Sequence, residues 1–307
     1  MLALLASSAR ATLLVLLGLG VLLRTINYDQ EGWLLAWFYV AQWPVLAALA
    51  AALSILSLMS RQRMSATVAA SAGLAFAAIW ISGSWQSHEL PATAAETVRV
   101  VYWNAARPRD RLDQVIARAR SFEADFLAVG EAASETEEEQ AKWRAAFPGH
   151  NLQRLGGEML IASRGPIRAV RYGSLRQLGR YNLVEVELNG RLLRFIVVDF
   201  DADATRSRRA AFEALAEIAA PYADQPLVVT GDFNTPTDSP HFAVLRPYLS
   251  DAWPMAGYGL SESWPVPVPL LRLDHLWVSA ELQPVAYHMD WSRLSDHRAQ
   301  VLDLAWR

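Results

Sequence analysis

The stretch Val228-Val229-Thr230-Gly231-Asp232-Phe233-Asn234 decides how this chain is read. A β-branched run fits a pleated, buried strand, and it stops at a glycine, which tolerates close backbone approach and positive φ. Beyond the glycine, Asp232 and Asn234 emerge as hard oxygen donors on the rim of a rigid element. Taken alone, Asp-x-Asn after a strand is an ordinary turn signal. The pattern recurs, however. Trp103-Asn104 ends one apolar run with an amide, and Phe126-Leu127-Ala128-Val129-Gly130-Glu131 ends another with a carboxylate. Leu273-Asp274-His275 opens a further run, and Ser295-Asp296-His297 precedes the last one. Five such tips in one domain exceed what turn formation accounts for.

Around these tips the chain alternates short apolar runs with turn residues. Strands are expected at 98–103, 126–129, 158–162, 183–188, 192–198, 227–230, 273–278 and 301–304. Helices are expected at 111–122, 135–145 and 206–219, the last capped by Thr205. Asn189-Gly190 between two strand runs is a strong hairpin signal. The run of charge from 135 to 139 reads as a solvated helix face. Many strands and few helices predict two packed sheets with helices outside them, in one domain.

The N-terminal third is a different polymer. Overall the 307 residues are 53% apolar and 19% charged, with no cysteine and a net charge of −3. Only seven charged residues fall within 1–95, whereas the remaining 212 residues hold 52. The uncharged runs 33–59 and 64–85 each exceed the roughly 20 helical residues that cross a bilayer. Pro44 is tolerated inside a span where neighbouring helices satisfy the freed carbonyl. A third span is expected at about 11–26, with Arg10 and Arg24 snorkelling toward the interfaces; no small-x-small cleavage site follows it to mark a signal peptide. Arg61 and Arg63 keep the loop between the two long spans in the cytoplasm. The opposite loop carries Asp29 and Glu31, and Trp33, Trp37, Trp80 and Trp85 would settle at the outer interface. The expected organisation is a membrane anchor over 1–85, a linker over 86–97 and a domain over 98–307 outside the cytoplasm.

Composition narrows the chemistry. Without cysteine there are no disulfides, thiolate zinc sites, iron–sulfur clusters or cysteine nucleophiles. The part of the chain beyond residue 95 carries 24 basic and 28 acidic residues, so it lacks the bulk positive charge of a nucleic-acid binder.

The tips carry a resemblance. Tyr102-Trp103-Asn104, Ala128-Val129-Gly130-Glu131, Gly231-Asp232-Phe233-Asn234, Leu273-Asp274-His275 and Ser295-Asp296-His297 stand in the order of the endonuclease/exonuclease/phosphatase (deoxyribonuclease I-like) superfamily, in a membrane-anchored bacterial form. Met159-Leu160-Ile161-Ala162-Ser163-Arg164-Gly165-Pro166-Ile167 is also similar to that family's strand and Ser-Arg-Pro turn. The resemblance covers 98–307. It implies an α/β fold, a four-layer αββα sandwich preceded by two or three transmembrane helices. It further implies Mg²⁺- or Mn²⁺-assisted, in-line attack of water on a phosphate ester. Glu131 and Asn104 would hold the metal, with Asp296 supporting it. Asp232 would orient and deprotonate the water, Asn234 would donate to the phosphate, and His297 would contact the phosphoryl group with Asp274 fixing its tautomer.

One departure stands out. Many members have Thr-His-Leu where this chain reads Val198-Asp199-Phe200-Asp201, and a carboxylate cannot replace an imidazole donor. Either these aspartates cap the following helix, or Asp199 or Asp201 serves a second cation site or a different leaving group. Arg206, Arg208 and Arg209 either face phosphate or form a solvated surface, and His241 reads as core or surface. The proline-rich loop from Trp264 to Pro269 would overhang the site and meet substrate or membrane. The expected partners are the bilayer and a phosphorylated substrate at its surface, such as a phospholipid headgroup or lipid-linked phosphate. Nucleic acid ranks below these. The alternatives are an extracytoplasmic nuclease of the same family and a catalytically silent module that binds phosphorylated ligands.

Overall fold

Val98, Val100 and Tyr102 point one way along their strand and Val101 and Trp103 the other, and both sets are buried. A strand covered on both faces needs a layer on each side. The computed structural model of the chain describes residues 2–27, 32, 34–88 and 96–307. These form two compact units, Met1–Trp85 with Asp203–Ser207, and Gln86–Ala202 with Arg208–Arg307.

Strands along the described residues are β1 (Trp85–Ser87), β2 (Val98–Asn104), β3 (Phe126–Gly130), β4 (Asn151–Leu155), β5 (Met159–Ser163), β6 (Ile167–Ser174), β7 (Gly179–Leu188), β8 (Arg191–Phe200), β9 (Leu227–Asp232), β10 (Ser250–Asp251), β11 (Gly257–Leu260), β12 (Asp274–Val278), β13 (Leu282–Asp290) and β14 (Ala299–Trp306). They build an eight-stranded sheet, β1-β11-β13-β14-β2-β3-β5-β4, and a six-stranded sheet, β10-β12-β9-β8-β7-β6. Parallel pairs need a crossover. The helix Leu112–Ser121 supplies it between β2 and β3, and Arg209–Ala219 supplies it between β8 and β9. Those crossovers become the outer layers. Val115, Ile116 and Trp143 pack on the outside of the larger sheet, and Phe212 and Leu215 on the outside of the smaller. Between the sheets lie Tyr102, Phe126, Ile161, Val184, Phe195, Val228 and Leu302, with the Phe126 and Phe195 rings stacked across the gap. The four-layer αββα sandwich expected from the sequence is therefore present.

All eight predicted strands form. Asn189 and Gly190 both take positive φ (51° and 73°) between the paired residues Leu188 and Arg191, as a two-residue hairpin requires. The charged run at 135 opens a helix, Glu137–Ala146, through a Thr136–Glu139 capping box. Thr205, in contrast, caps nothing. That helix starts at Arg209 behind Arg208, and the Thr205 hydroxyl donates to Asp203 Oδ1 in a local turn.

The N-terminal unit adds a bend within the run 33–59 and corrects the expectation for Arg24. Among the described residues, two helices are long and apolar enough to cross a membrane, Ala6–Ile26 and Arg63–Ser84, and the bent pair within 33–59 makes a third if it counts as one span. The run 33–59 is not one straight span. Leu34–Val40 and Trp43–Met59 meet at 78°. The reason is local: Pro44 lies in the first turn of the second helix, where its missing N–H costs nothing, and Gln42 before it is extended. Arg24 does not snorkel. It is buried and donates to the Phe38 carbonyl (3.0 Å) and Gln42 Oε1 (3.4 Å), satisfying acceptors that the break exposes. Asp29, Glu31, Trp33 and linker residues 89–95 lie outside the described residues.

At the end of β9, Gly231 holds φ at +146°, and a Cβ there would lie 2.0 Å from the Val198 carbonyl oxygen of β8. Gly231→Ala is expected to cost about 3 kcal/mol, lowering Tm by about 6–12 °C in a detergent-solubilised thermal melt. An unchanged Tm would mean that β8 and β9 are free to part.

Candidate active site

Register places the polar strand tips. Ser174 pairs with Arg180, Arg180 with Asp199, Asp199 with Asp232, and Asp232 with Asp274, across β6, β7, β8, β9 and β12. Register partners share a face at about 4.8 Å spacing. The face is the inner one, because Val228 and Leu276, four and two residues from a register partner along β9 and β12, belong to the inter-sheet core. One row of side chains therefore lines the open end of that core, and three of its members are carboxylates.

The larger sheet closes over this row. Asn104 at the end of β2 donates from Nδ2 to Asp232 Oδ2 (3.1 Å) and accepts the Ala106 N–H on Oδ1. The Ser295 hydroxyl donates to the Asn104 carbonyl (2.7 Å) and accepts the His297 N–H, while the Trp103 indole donates to the His297 carbonyl. Thus fixed, His297 sets Nδ1 2.8 Å from Asp274 Oδ2 and Nε2 3.9 Å from Asp232 Oδ2. The second contact is too long for a hydrogen bond, so the Nε2 N–H stays available at the mouth of the site. Asn104, Asp232, Asp274 and His297 are all buried.

Crowding of carboxylates governs the electrostatics. Burial, then the neighbouring Asp274 charge, pushes Asp232 up to about 8 against the opposing pull of His297. Burial followed by Glu131 pushes Asp199 up to about 7, with Arg107 and Arg180 pulling the other way. His297 is the counter-ion. Burial by itself would depress its imidazole, but the Asp274 charge and hydrogen bond, then Asp232 and Asp296, carry it up to about 10. The fully buried Tyr102 phenol is raised by burial first and then by Asp232, Asp274, Asp199 and Glu131, so all four carboxylates converge on one spot.

The remaining predicted residues lie around this centre. Glu131 sits just past β3 with φ +47°, an uncommon conformation for a side chain of that size, and its Oε2 meets Arg107 Nη1 at 2.8 Å. Arg107 also reaches Glu158. Asn234, at φ +44°, donates its main-chain N–H to Asp232 Oδ1 and its Nδ2 to the Phe200 carbonyl. Asp296 is exposed and accepts the Trp264 indole N–H on Oδ2 (2.9 Å), which ties the proline-rich loop to the site rim. Among the described residues, the tight His/carboxylate group is Asp232, Asp274 and His297. Asp199 caps no helix; it belongs to the row. Arg208 is buried, donating to the Asp201 carbonyl, and Arg206 and Arg209 are exposed. His241 is core, as is His275, whose imidazole burial drives down to about 3. Sequence reading missed Arg107 and Arg180. Neither lies in a motif, and only strand register and loop path bring them to the site.

The donor set fits a hard divalent cation. It is built from carboxylate and amide oxygens, its negative charge is under-compensated, and Asp274 Oδ1 is buried with no hydrogen-bond partner among the described residues.

A family model described as "Endonuclease/Exonuclease/phosphatase family" matches residues 101–297, and the chain belongs to that family. The fold is shared with solved structures at low identity. An endonuclease/exonuclease/phosphatase protein of Bacteroides vulgatus is 18% identical, with a TM-score of 0.57 over 69% of this chain and 100% of that one. A mannosyl-6-phosphatase of Bacteroides thetaiotaomicron is 14% identical, with a TM-score of 0.59 over 68% of this chain and 100% of that one. A 3′ phosphatase from Neisseria bound to a product DNA hairpin is 20% identical, with a TM-score of 0.53 over 68% and 100%. No curated protein matches the chain.

Both raised groups, Asp232 and His297, bind protons more tightly when folded, so their linkage has one sign. Without added metal, the Asp232 contribution to stability fades as pH rises from about 4 through about 8. That of His297 is complete below pH 6.5 and fades through about 10. A divalent cation competes with those protons. Mg²⁺ is therefore expected to raise Tm more at pH 8.5 than at pH 6 in thermal melts, and Asp232→Asn to shrink the difference. In a histidine NMR titration, Asp274→Asn should drop the His297 pKa to or below the ordinary value, because burial then dominates.

Proposed function

We propose that this chain is a membrane-anchored, divalent-metal-dependent phosphoesterase that hydrolyses a phosphate ester outside the cytoplasm. The observation that carries the reading is the buried Asp232, bracketed by Asn104 of the larger sheet and by the Asp274–His297 pair that joins the two sheets. Asp232 orients the attacking water and takes its proton. At about 8 its carboxyl holds a proton at neutral pH, and added positive charge at the site lowers that value and frees the base. His297, kept cationic by Asp274, presents Nε2–H to a phosphate oxygen and stabilises charge that builds there in the transition state. Asn234 keeps a second amide N–H beyond the one spent on Phe200 and directs it to the phosphate. Glu131 and Asn104 would hold Mg²⁺ or Mn²⁺, with Asp296 at the rim. When bound, that ion polarises the phosphoryl oxygen and offsets its charge.

Anchoring rests on the long apolar helices Ala6–Ile26 and Arg63–Ser84. The orientation rests on Arg61 and Arg63 between the helices ending at Met59 and starting at Arg63. A tethered site favours phosphate esters at the membrane surface, such as phospholipid headgroups or lipid-linked phosphates. The acidic balance of the domain weighs against duplex nucleic acid.

The purified chain in detergent is expected to release p-nitrophenol from bis-p-nitrophenyl phosphate with Mg²⁺ and to stop with EDTA. His297→Ala and Asp232→Asn should each lower kcat by about 10²–10⁴ without lowering Tm by more than a few degrees. Full activity in either variant would remove the assigned roles. Parallel assays on phospholipid, lipid pyrophosphate and plasmid DNA then rank the substrates, and cleavage of DNA alone would favour the nuclease reading.

A further inference from the structure

The row of register partners does not stop at the reacting residues. Two strands beyond Asp232 it reaches Arg180, and one further Ser174, so about 10 Å of sheet edge continues away from Asp232 to Arg180. Above this stretch is a cavity of about 550 Å³, within the size range of small-molecule sites. Its walls include Tyr172, Ser174, Gln177, Arg180, Tyr181 and Asp199.

This cavity is built rather than left over. Asn182, itself buried, accepts the Gly156 N–H (3.0 Å) and donates to the Gly156 carbonyl (3.1 Å), pinning the Gly156-Gly157 turn at the cavity wall. Gly157 takes φ +82°, and a Cβ there would stand 3.2 Å from Arg180 Cδ and 3.7 Å from Asp199 Oδ2. Glycine therefore keeps the space open.

The groups facing the space have complementary demands. Among the described residues neither the Asp199 carboxyl nor the Arg180 guanidinium is engaged in a hydrogen bond or close ion pair, and Arg180 and Arg107 act on Asp199 from a distance, so one wall offers acceptors and a donor fork side by side. A second phosphate would gain from Arg180 and be repelled by Asp199. A quaternary ammonium would meet the reverse conflict. A neutral chain of hydroxyls uses both, donating to the carboxylate and accepting from the guanidinium, with the exposed Tyr172 ring beside it to cover a C–H face.

We propose that this cavity is a subsite for a neutral, hydroxyl-rich group esterified to the reacting phosphate, bound between Asp199 and Arg180. The subsite rests on the phosphoesterase reading above and names the substrate class of that same site. It gives a positive role to the carboxylate that replaces the family's histidine. Polyol headgroups of lipids and free sugar phosphates share this chemistry.

The test uses the full chain in detergent micelles with Mg²⁺ and two matched pairs of esters that differ in hydroxyls. The soluble pair is glucose 6-phosphate and n-hexyl phosphate; the lipid pair is phosphatidylglycerol and phosphatidylpropanol. The hydroxylated member of at least one pair should show a kcat/KM at least tenfold higher, and the pair that shows it identifies the source. Asp199→Asn and Arg180→Ala should each bring that ratio below threefold. Arg180 is exposed, so its truncation reports even where the Asp199 variant does not fold. Hydrolysis of bis-p-nitrophenyl phosphate with no preference in either pair, or a preference that both substitutions leave intact, overturns the subsite alone. Absence of metal-dependent hydrolysis of every ester, the aryl diester included, overturns the phosphoesterase reading and the subsite with it.

Discussion

Asp274 places a carboxylate with no solvent exposure beside Asp232 and within one further strand of Asp199, and the His297 imidazolium 2.8 Å away is what makes that arrangement stable. An isolated buried carboxylate would take up a proton instead. Much of the surrounding structure serves to hold that one imidazole. Ser295 orients its main chain, the Trp103 indole holds its carbonyl, and Asn104 links the same network to Asp232. These partners come from both sheets, so the charge pair also fastens the sandwich at its open end.

The constraint on the site's residues is uneven. Asp232, Asp274 and His297 are fixed by strands and by mutual hydrogen bonds. Glu131 and Arg107 stand on the turn after β3 and the loop after β2, both with positive φ. Strained backbone at a strand tip persists only where its surroundings over-determine it. Here the Arg107 bridges to Glu131 and Glu158 supply that constraint. Past Asp199 the constraint relaxes, and β6 at the sheet edge carries the exposed Tyr172 and Ser174.

In the helical unit the same demand, that buried polar groups find partners, produces a different device. A helix broken at 78° leaves carbonyls without partners, and an arginine from a preceding helix fills them while its guanidinium lies over the Phe38 ring. A charged residue next to an apolar run thus reads as an interface anchor in sequence and acts as a polar clamp in the fold.

Apolar period and turn chemistry by themselves determined most of the architecture. Val98–Asn104, Phe126–Gly130 and Leu227–Asp232 are buried on both faces and therefore announce themselves as strands, and Asn189-Gly190 announces its hairpin. Two of the longer strands outside those expectations have physical reasons: β6 is a half-exposed edge, and β13 carries Pro284 at a bulge. Residue type at strand tips also named Asn104, Glu131, Asp232, Asn234, Asp274, Asp296 and His297 as candidates, because hard-oxygen chemistry without cysteine leaves few other donors. Sequence could not tell whether Asp199 caps a helix or joins the site, nor find Arg107 and Arg180, nor show the bend before Pro44. Each of those depends on which residue lies opposite which across a sheet or a helix break. Such pairings join positions distant along the chain, so they are decided only when the strands and helices pack.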